Sequence, residues 1–134
     1  MNRFARTRRD HQHESVEDYV ELILSTSEEC GTVRVSDLAQ RLQVSPVTVT
    51  KKIQRLCEEG YVQREPYREI FLTAQGEALA RAARERHGIV RDFLLALGVG
   101  EEIAEHDSEG IEHHVSPETL SAMARYVAER GQRP

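Results

Sequence analysis

A chain of 134 residues with 39% hydrophobic content has room for one compact unit, or for two small ones sharing a long helix. No apolar run approaches the length of a spanning helix, and the arginines among the first thirteen residues have no apolar segment behind them, so neither membrane insertion nor a secretory leader is expected. The formal net charge of −5 speaks against a nucleic-acid partner only in sum, because the charges are unevenly distributed.

Residues 1–14 are basic and polar without apolar periodicity, which predicts a disordered arm. From Ser15 the pattern turns helical: Val16, Tyr19, Val20 and Ile23 repeat at helical spacing, with Asp18 and Glu21 on the other side, and Gly31 closes the helix near residue 30. Two short helices follow, Ser36 to Leu42 and Pro46 to Glu59. The turn between them supplies Ser45 as N-cap and Pro46 at the first helical position. After Gly60, Tyr61 to Arg64 and Glu69 to Leu72 read as strands joined through Pro66-Tyr67-Arg68. Helix, turn, helix and hairpin in this order make a winged helix-turn-helix over 15–73.

Thr73 then caps a long helix, Ala74 to Leu97, which Gly98 and Gly100 break. Three shorter helical pieces are predicted beyond it: Glu101 to His106, Glu109 to His114, and Pro117 to Arg130, the last capped by Ser116. The fold class is therefore mostly α: an N-terminal winged helix-turn-helix with a small two-stranded wing, joined by a long helix to an all-helical dimerisation domain over 74–134.

Basic residues concentrate where such a fold meets DNA. Arg41, Lys51, Lys52, Arg55, Arg64 and Arg68 face only Glu58, Glu59 and Glu65 over 41–68, whereas 101–112 holds six carboxylates and no Lys or Arg. The second helix of the motif enters the major groove, which places Ser45, Val47, Thr48 and Lys51 near base edges. Lys52 and Arg55 suit phosphates, and Arg64 and Arg68 on the wing suit the flanking backbone or minor groove. The bland alternative is an exposed helix face kept soluble by three cations. The partner implied is double-stranded operator DNA, bound by a homodimer whose interface is the apolar C-terminal helices.

Glu109-Gly110-Ile111-Glu112-His113-His114 carries a different chemistry. On a helix, Glu109, Glu112 and His113 share one face, and two carboxylates beside an imidazole repel each other unless a cation sits between them. Asp18 and Glu21 on the first helix and His87 on the long helix are further candidate ligands. Each has a plain alternative: Asp18 as part of a cap to Ser15, Glu21 as solvated surface, His87 as an ordinary polar residue beside Arg86. Oxygen-rich donors suit manganese better than metals that prefer thiolate. Cys30 and Cys57 form no metal-type pair and read as packing residues in a reducing cytoplasm.

Taken in order, Glu17-Asp18-Tyr19-Val20-Glu21, Val35-Ser36-Asp37-Leu38-Ala39, Val49-Thr50-Lys51, Phe71-Leu72-Thr73, Gly76 and Gly110-Ile111-Glu112-His113-His114 resemble the manganese-dependent branch of the diphtheria toxin repressor family. The resemblance covers about residues 15 to 127. It implies a cytoplasmic homodimeric repressor of manganese-uptake genes, activated for operator binding by manganese. It also implies ligands at Asp18, Glu21, His87, Glu109, Glu112 and His113, at the junction of the two halves. Two ions per subunit are implied, bridged by Glu21 and Glu112. Iron-responsive relatives carry methionine in place of Asp18 and cysteine in place of Glu109. An iron- or zinc-responsive regulator of the same fold is the nearest alternative. A metal-dependent hydrolase is the remote one: no H-E-x-x-H motif occurs, and the basic helix would be unexplained, so no enzyme is expected.

Overall fold

The computed structural model describes residues 3–65 and 68–131, with side chains from Glu14 onward. In chain order the elements are α1 (Arg3–Cys30), α2 (Val35–Leu42), α3 (Pro46–Glu58), β1 (Val62–Arg64), β2 (Ile70–Leu72), α4 (Ala74–Ala96), α5 (Glu101–Ile111), a 3₁₀ turn (Glu112–His114) and α6 (Pro117–Gly131). The chain divides into an N-terminal unit, His11–Arg81, and a C-terminal unit, Ala82–Pro134 with Met1–Asp10. The division falls inside α4.

Two expectations are corrected. The arm expected to be disordered over 1–14 is helical from Arg3, Met1 and Asn2 lying outside the described residues. It contains no glycine or proline, and Ala, Arg, Gln and Glu extend an existing helix without needing an apolar stripe. Asp18 is consequently in mid-helix, so its reading as part of a cap falls away. The second correction concerns Glu101–His106 and Glu109–His114, expected as separate pieces. α5 runs through to Ile111, its Ser108 hydroxyl turned back onto the Glu105 carbonyl at 3.0 Å, and only then tightens into the 3₁₀ turn.

In the N-terminal unit the apolar face of α1 meets the helix-turn-helix. Val16 and Ile23 join Val33, Leu38, Ala39, Val49, Ile53, Leu56, Val62 and Ile70 in one buried cluster. α1 stops because Gly31 takes φ of 81°, its N–H bonding the Ser27 carbonyl at 2.9 Å. In the turn after α2, Gln43 takes the left-handed conformation at φ 57° despite its Cβ. Ser45 caps α3 as its sequence predicts, its Oγ accepting the Thr48 N–H at 3.2 Å. The wing pairs antiparallel, Val62 with Leu72 and Arg64 with Ile70. The expected turn at Pro66 and Tyr67 lies outside the described residues. Thr73 caps α4 through the Gly76 N–H at 3.0 Å and donates its own hydroxyl to the Gly60 carbonyl at 2.7 Å. A Cβ at Gly76 would stand 2.0 Å from the Tyr61 carbonyl oxygen, so only glycine admits this approach of helix to wing.

In the C-terminal unit the buried residues are small or polar: Ala83 and Val90 of α4, Ala104 and Ser108 of α5, and Glu112. Phe93 meets Tyr126 of α6 edge to face with centroids 5.4 Å apart. Ser116 caps α6, accepting the Thr119 N–H at 3.2 Å.

Candidate functional site

α3 presents Val47, Thr48, Lys51 and Arg55 to solvent, Val47 at 63% exposure. An apolar side chain so exposed near the start of the helix suits a thymine methyl better than water. Thr50 and Gln54 are also exposed. The sequence reading passed over them, although Gln54 follows Val47 and Lys51 at helical spacing, which is the signal that finds it. The hydroxyls of Ser45 and Thr48 lie 2.9 Å apart, so Ser45 is engaged in capping at the start of α3.

The cations differ in availability. Arg55 pairs with Glu59 at 3.1 Å on the exposed surface. Lys52 is half-buried with its ammonium 5.7 Å from the Tyr19 ring centroid, and burial, then the charge of Arg55, lowers its pKa. It ties α3 to α1 more than it projects outward. Arg64 is half-buried, and its Nε is enclosed without a hydrogen-bond partner among the described residues. With Arg34, Arg68 and the exposed Phe71 it lines a cleft of about 940 Å³ along the wing. Arg34, the N-cap residue of α2, was not among the sequence candidates, because its proximity to the wing depends on tertiary packing.

Of the candidate metal ligands, Asp18 and Glu21 belong to the N-terminal unit, on α1, and His87, Glu109, Glu112 and His113 to the C-terminal unit. Asp18 is exposed and Glu21 half-buried. Glu17, which the sequence reading did not propose, is buried on α1. It precedes Glu21 by one helical turn, so the acidic density of this helix exceeds what two residues suggest.

The 3₁₀ turn changes the geometry expected at the C-terminal cluster. Glu109 lies exposed in α5, while Glu112 and His113 leave the α-helical path. Glu112 is the most enclosed carboxylate among the described side chains of the unit, 1% exposed, with His113 Nε2 lying 3.0 Å from its Oε1. Arg86 Nε donates to its Oε2 at 3.1 Å. Arg86 thus gives this buried carboxylate a positively charged partner. His87 is placed differently. Its Nε2 lies 2.7 Å from Glu105 Oε1 and its Nδ1 3.4 Å from Ser108 Oγ. The bond to His87 is the chief reason that the Glu105 carboxyl titrates below its ordinary value, with Arg91 adding to it.

The donors fit a hard divalent ion. Glu112 Oε1 and His113 Nε2 stand side by side in direct contact at 3.0 Å, an oxygen and a nitrogen donor of the kinds that divalent ions take. The set offers carboxylate oxygen and imidazole nitrogen.

Comparison with known proteins matches both halves. Residues 11–70 match the family described as iron dependent repressor, N-terminal DNA binding domain. Residues 73–134 match its metal binding and dimerisation domain. The chain is 49% identical over 128 residues to the transcriptional regulator MntR of Salmonella typhimurium, covering 96% of this chain and 82% of that protein. It is 45% identical over 113 residues to the HTH-type transcriptional regulator MntR of Geobacillus thermodenitrificans, 84% of this chain and 80% of that one. Among solved structures, a manganese-dependent transcriptional repressor in complex with manganese superposes with a TM-score of 0.75 at 28% identity, over 84% of this chain and 52% of that one. The manganese regulator SloR shares the fold, with a TM-score of 0.73 at 24% identity over 84% of this chain and 53% of that one. The chain thus spans about half the length of these solved relatives. With both family models matched and 49% identity to a relative covered over 82% of its length, the chain belongs to the iron dependent repressor family of transcriptional regulators, the diphtheria toxin repressor family that its motifs resemble.

Proposed function

We propose that this protein is a cytoplasmic, manganese-responsive repressor that binds a double-stranded operator as a homodimer and silences manganese-uptake genes. Asp18, Glu21, His87, Glu109, Glu112 and His113 would hold two ions per subunit, their carboxylates sharing the positive charge that the ions supply. The observation that carries this reading is the buried Glu112 carboxylate with the His113 imidazole beside it, an oxygen and a nitrogen donor enclosed together. The names of the MntR relatives support manganese as the ion.

When bound, manganese supplies the positive charge that allows several carboxylates to stand together. Glu112 would release its hold on Arg86 or share it, and His87 and His113 would each give a nitrogen lone pair. Metal and operator binding are then linked: a coupling of about 1–3 kcal/mol changes operator affinity by roughly 5- to 150-fold. Val47, Thr48 and Lys51 would read base edges, and Arg55, Arg64 and Arg68 would hold phosphates. The exposed Leu97 and Ile103 of the C-terminal unit, at 54% and 58%, provide apolar surface for the dimer. No described helix is long and apolar enough to cross a membrane.

Operator binding measured by fluorescence anisotropy during manganese, iron and zinc titrations, with metal stoichiometry on the same preparation, tests the reading. Manganese should activate binding at two ions per subunit. Operator affinity independent of metal, or activation by iron or zinc but not manganese, would overturn it.

A further inference from the structure

We propose that Glu105 is a positioning residue for His87, holding the imidazole in the tautomer whose Nδ1 lone pair is open to a metal ion. The inference rests on the reading of His87 as a ligand. Glu105 lies outside the expected ligand set, and in the sequence it is one acidic residue among several on α5. The structure distinguishes it: its Oε1 lies 2.7 Å from His87 Nε2, although the two residues are 18 apart in the chain.

An ionised carboxylate can only accept, so the proton in this contact sits on Nε2. In a neutral imidazole that leaves Nδ1 as the acceptor. Its neighbour is the Ser108 hydroxyl at 3.4 Å, which already gives its one proton to the Glu105 carbonyl at 3.0 Å. Ser108 therefore gives Nδ1 no proton, and its buried side chain limits the swing of the ring. The other oxygen of Glu105 is steadied by Arg91 Nη1 at 3.6 Å. With His87 only 12% exposed, the ring has little freedom to exchange its two nitrogens. Metal-bound histidines commonly give their second N–H to a carboxylate in this way, and loss of that partner weakens metal binding about 10- to 100-fold.

The test has two arms. Long-range ¹⁵N–¹H correlation on the metal-free parent should show His87 protonated at Nε2 and bare at Nδ1, with the preference lost in Glu105→Ala. Manganese titration calorimetry should show Glu105→Ala weakened by about 10- to 100-fold. Glu105→Gln, whose amide oxygen still accepts the Nε2 proton, should recover most of the loss, and the exposed Glu102→Ala should match the parent. Glu105→Ala should add nothing to His87→Ala. A parent with the proton on Nδ1, or Glu105→Ala with parental manganese affinity while His87→Ala has lost it, overturns the positioning role and leaves the ligand reading standing. Parental affinity and stoichiometry in His87→Ala would instead remove the ligand reading itself.

Discussion

Replacing Arg86 with methionine separates the electrostatic role of Glu112 from its packing. The Glu112 side chain is 1% exposed, Arg86 reaches it at 3.1 Å, and methionine keeps the apolar stem while removing the charge. Breaking a buried ion pair by deleting one partner costs about 3–5 kcal/mol. Arg86 retains 23% exposure and His113 lies 3.0 Å from the other oxygen, which brings the expected loss to about 2–3 kcal/mol. At roughly 3–5 °C per kcal/mol for a chain of this size, the metal-free Tm should fall by about 6–15 °C. If Glu112 is a ligand, bound manganese replaces the missing charge and the loaded variant recovers most of that loss. Closing the cycle, a penalty smaller by about 2 kcal/mol in the loaded state means manganese binding tighter by roughly 30-fold. Scanning calorimetry with and without manganese, combined with isothermal titration, reads both sides. Equal Tm losses in the two states, or unchanged manganese affinity, would refute Glu112 as a ligand, and an unchanged metal-free Tm would refute the energetic weight of the ion pair.

Asp18→Met should let iron activate operator binding more nearly as well as manganese, with Asp18→Asn as the control; because α1 begins at Arg3, no helix cap is lost with it. A parental manganese-over-iron ratio in the methionine variant would place metal choice in other ligands. Alanine at Lys51 and Arg55 together should weaken operator binding without lowering manganese stoichiometry, and loss of the Arg55 phosphate contact should flatten the salt dependence by a slope of about 0.9. An unaltered slope would place the DNA surface elsewhere. Gly76→Ala forces a Cβ to 2.0 Å from the Tyr61 carbonyl, so a loss of about 3 kcal/mol, at the upper end for overpacking, is expected in denaturant unfolding. A variant as stable as the parent would show that this approach of helix to wing relaxes freely.

The helix-turn-helix was legible in the sequence because its signals are local. Ser45 and Pro46 start α3, Thr73 starts α4, Gly31 stops α1, and alternation over 61–64 and 69–72 marks the wing; each depends on the backbone preference of a residue or two. The candidate ligands were legible as residue types in order, which is also why the family could be read from motifs. Periodicity misjudged α1, since a helix extended through polar residues has no apolar stripe to reveal it. It also split α5, where a serine bonded back to its own helix looks like a break, and it set Glu112 and His113 on an α-helical path that tightens into a 3₁₀ turn. Tertiary structure alone decided that Glu112 is buried against Arg86, 26 residues away, that Glu105 rather than a ligand holds His87, and that Lys52 leans on Tyr19. Spacing along a chain fixes which side chains share a face of one helix, but the partner a charge finds depends on how separate helices pack, and burial then decides what that partner is worth.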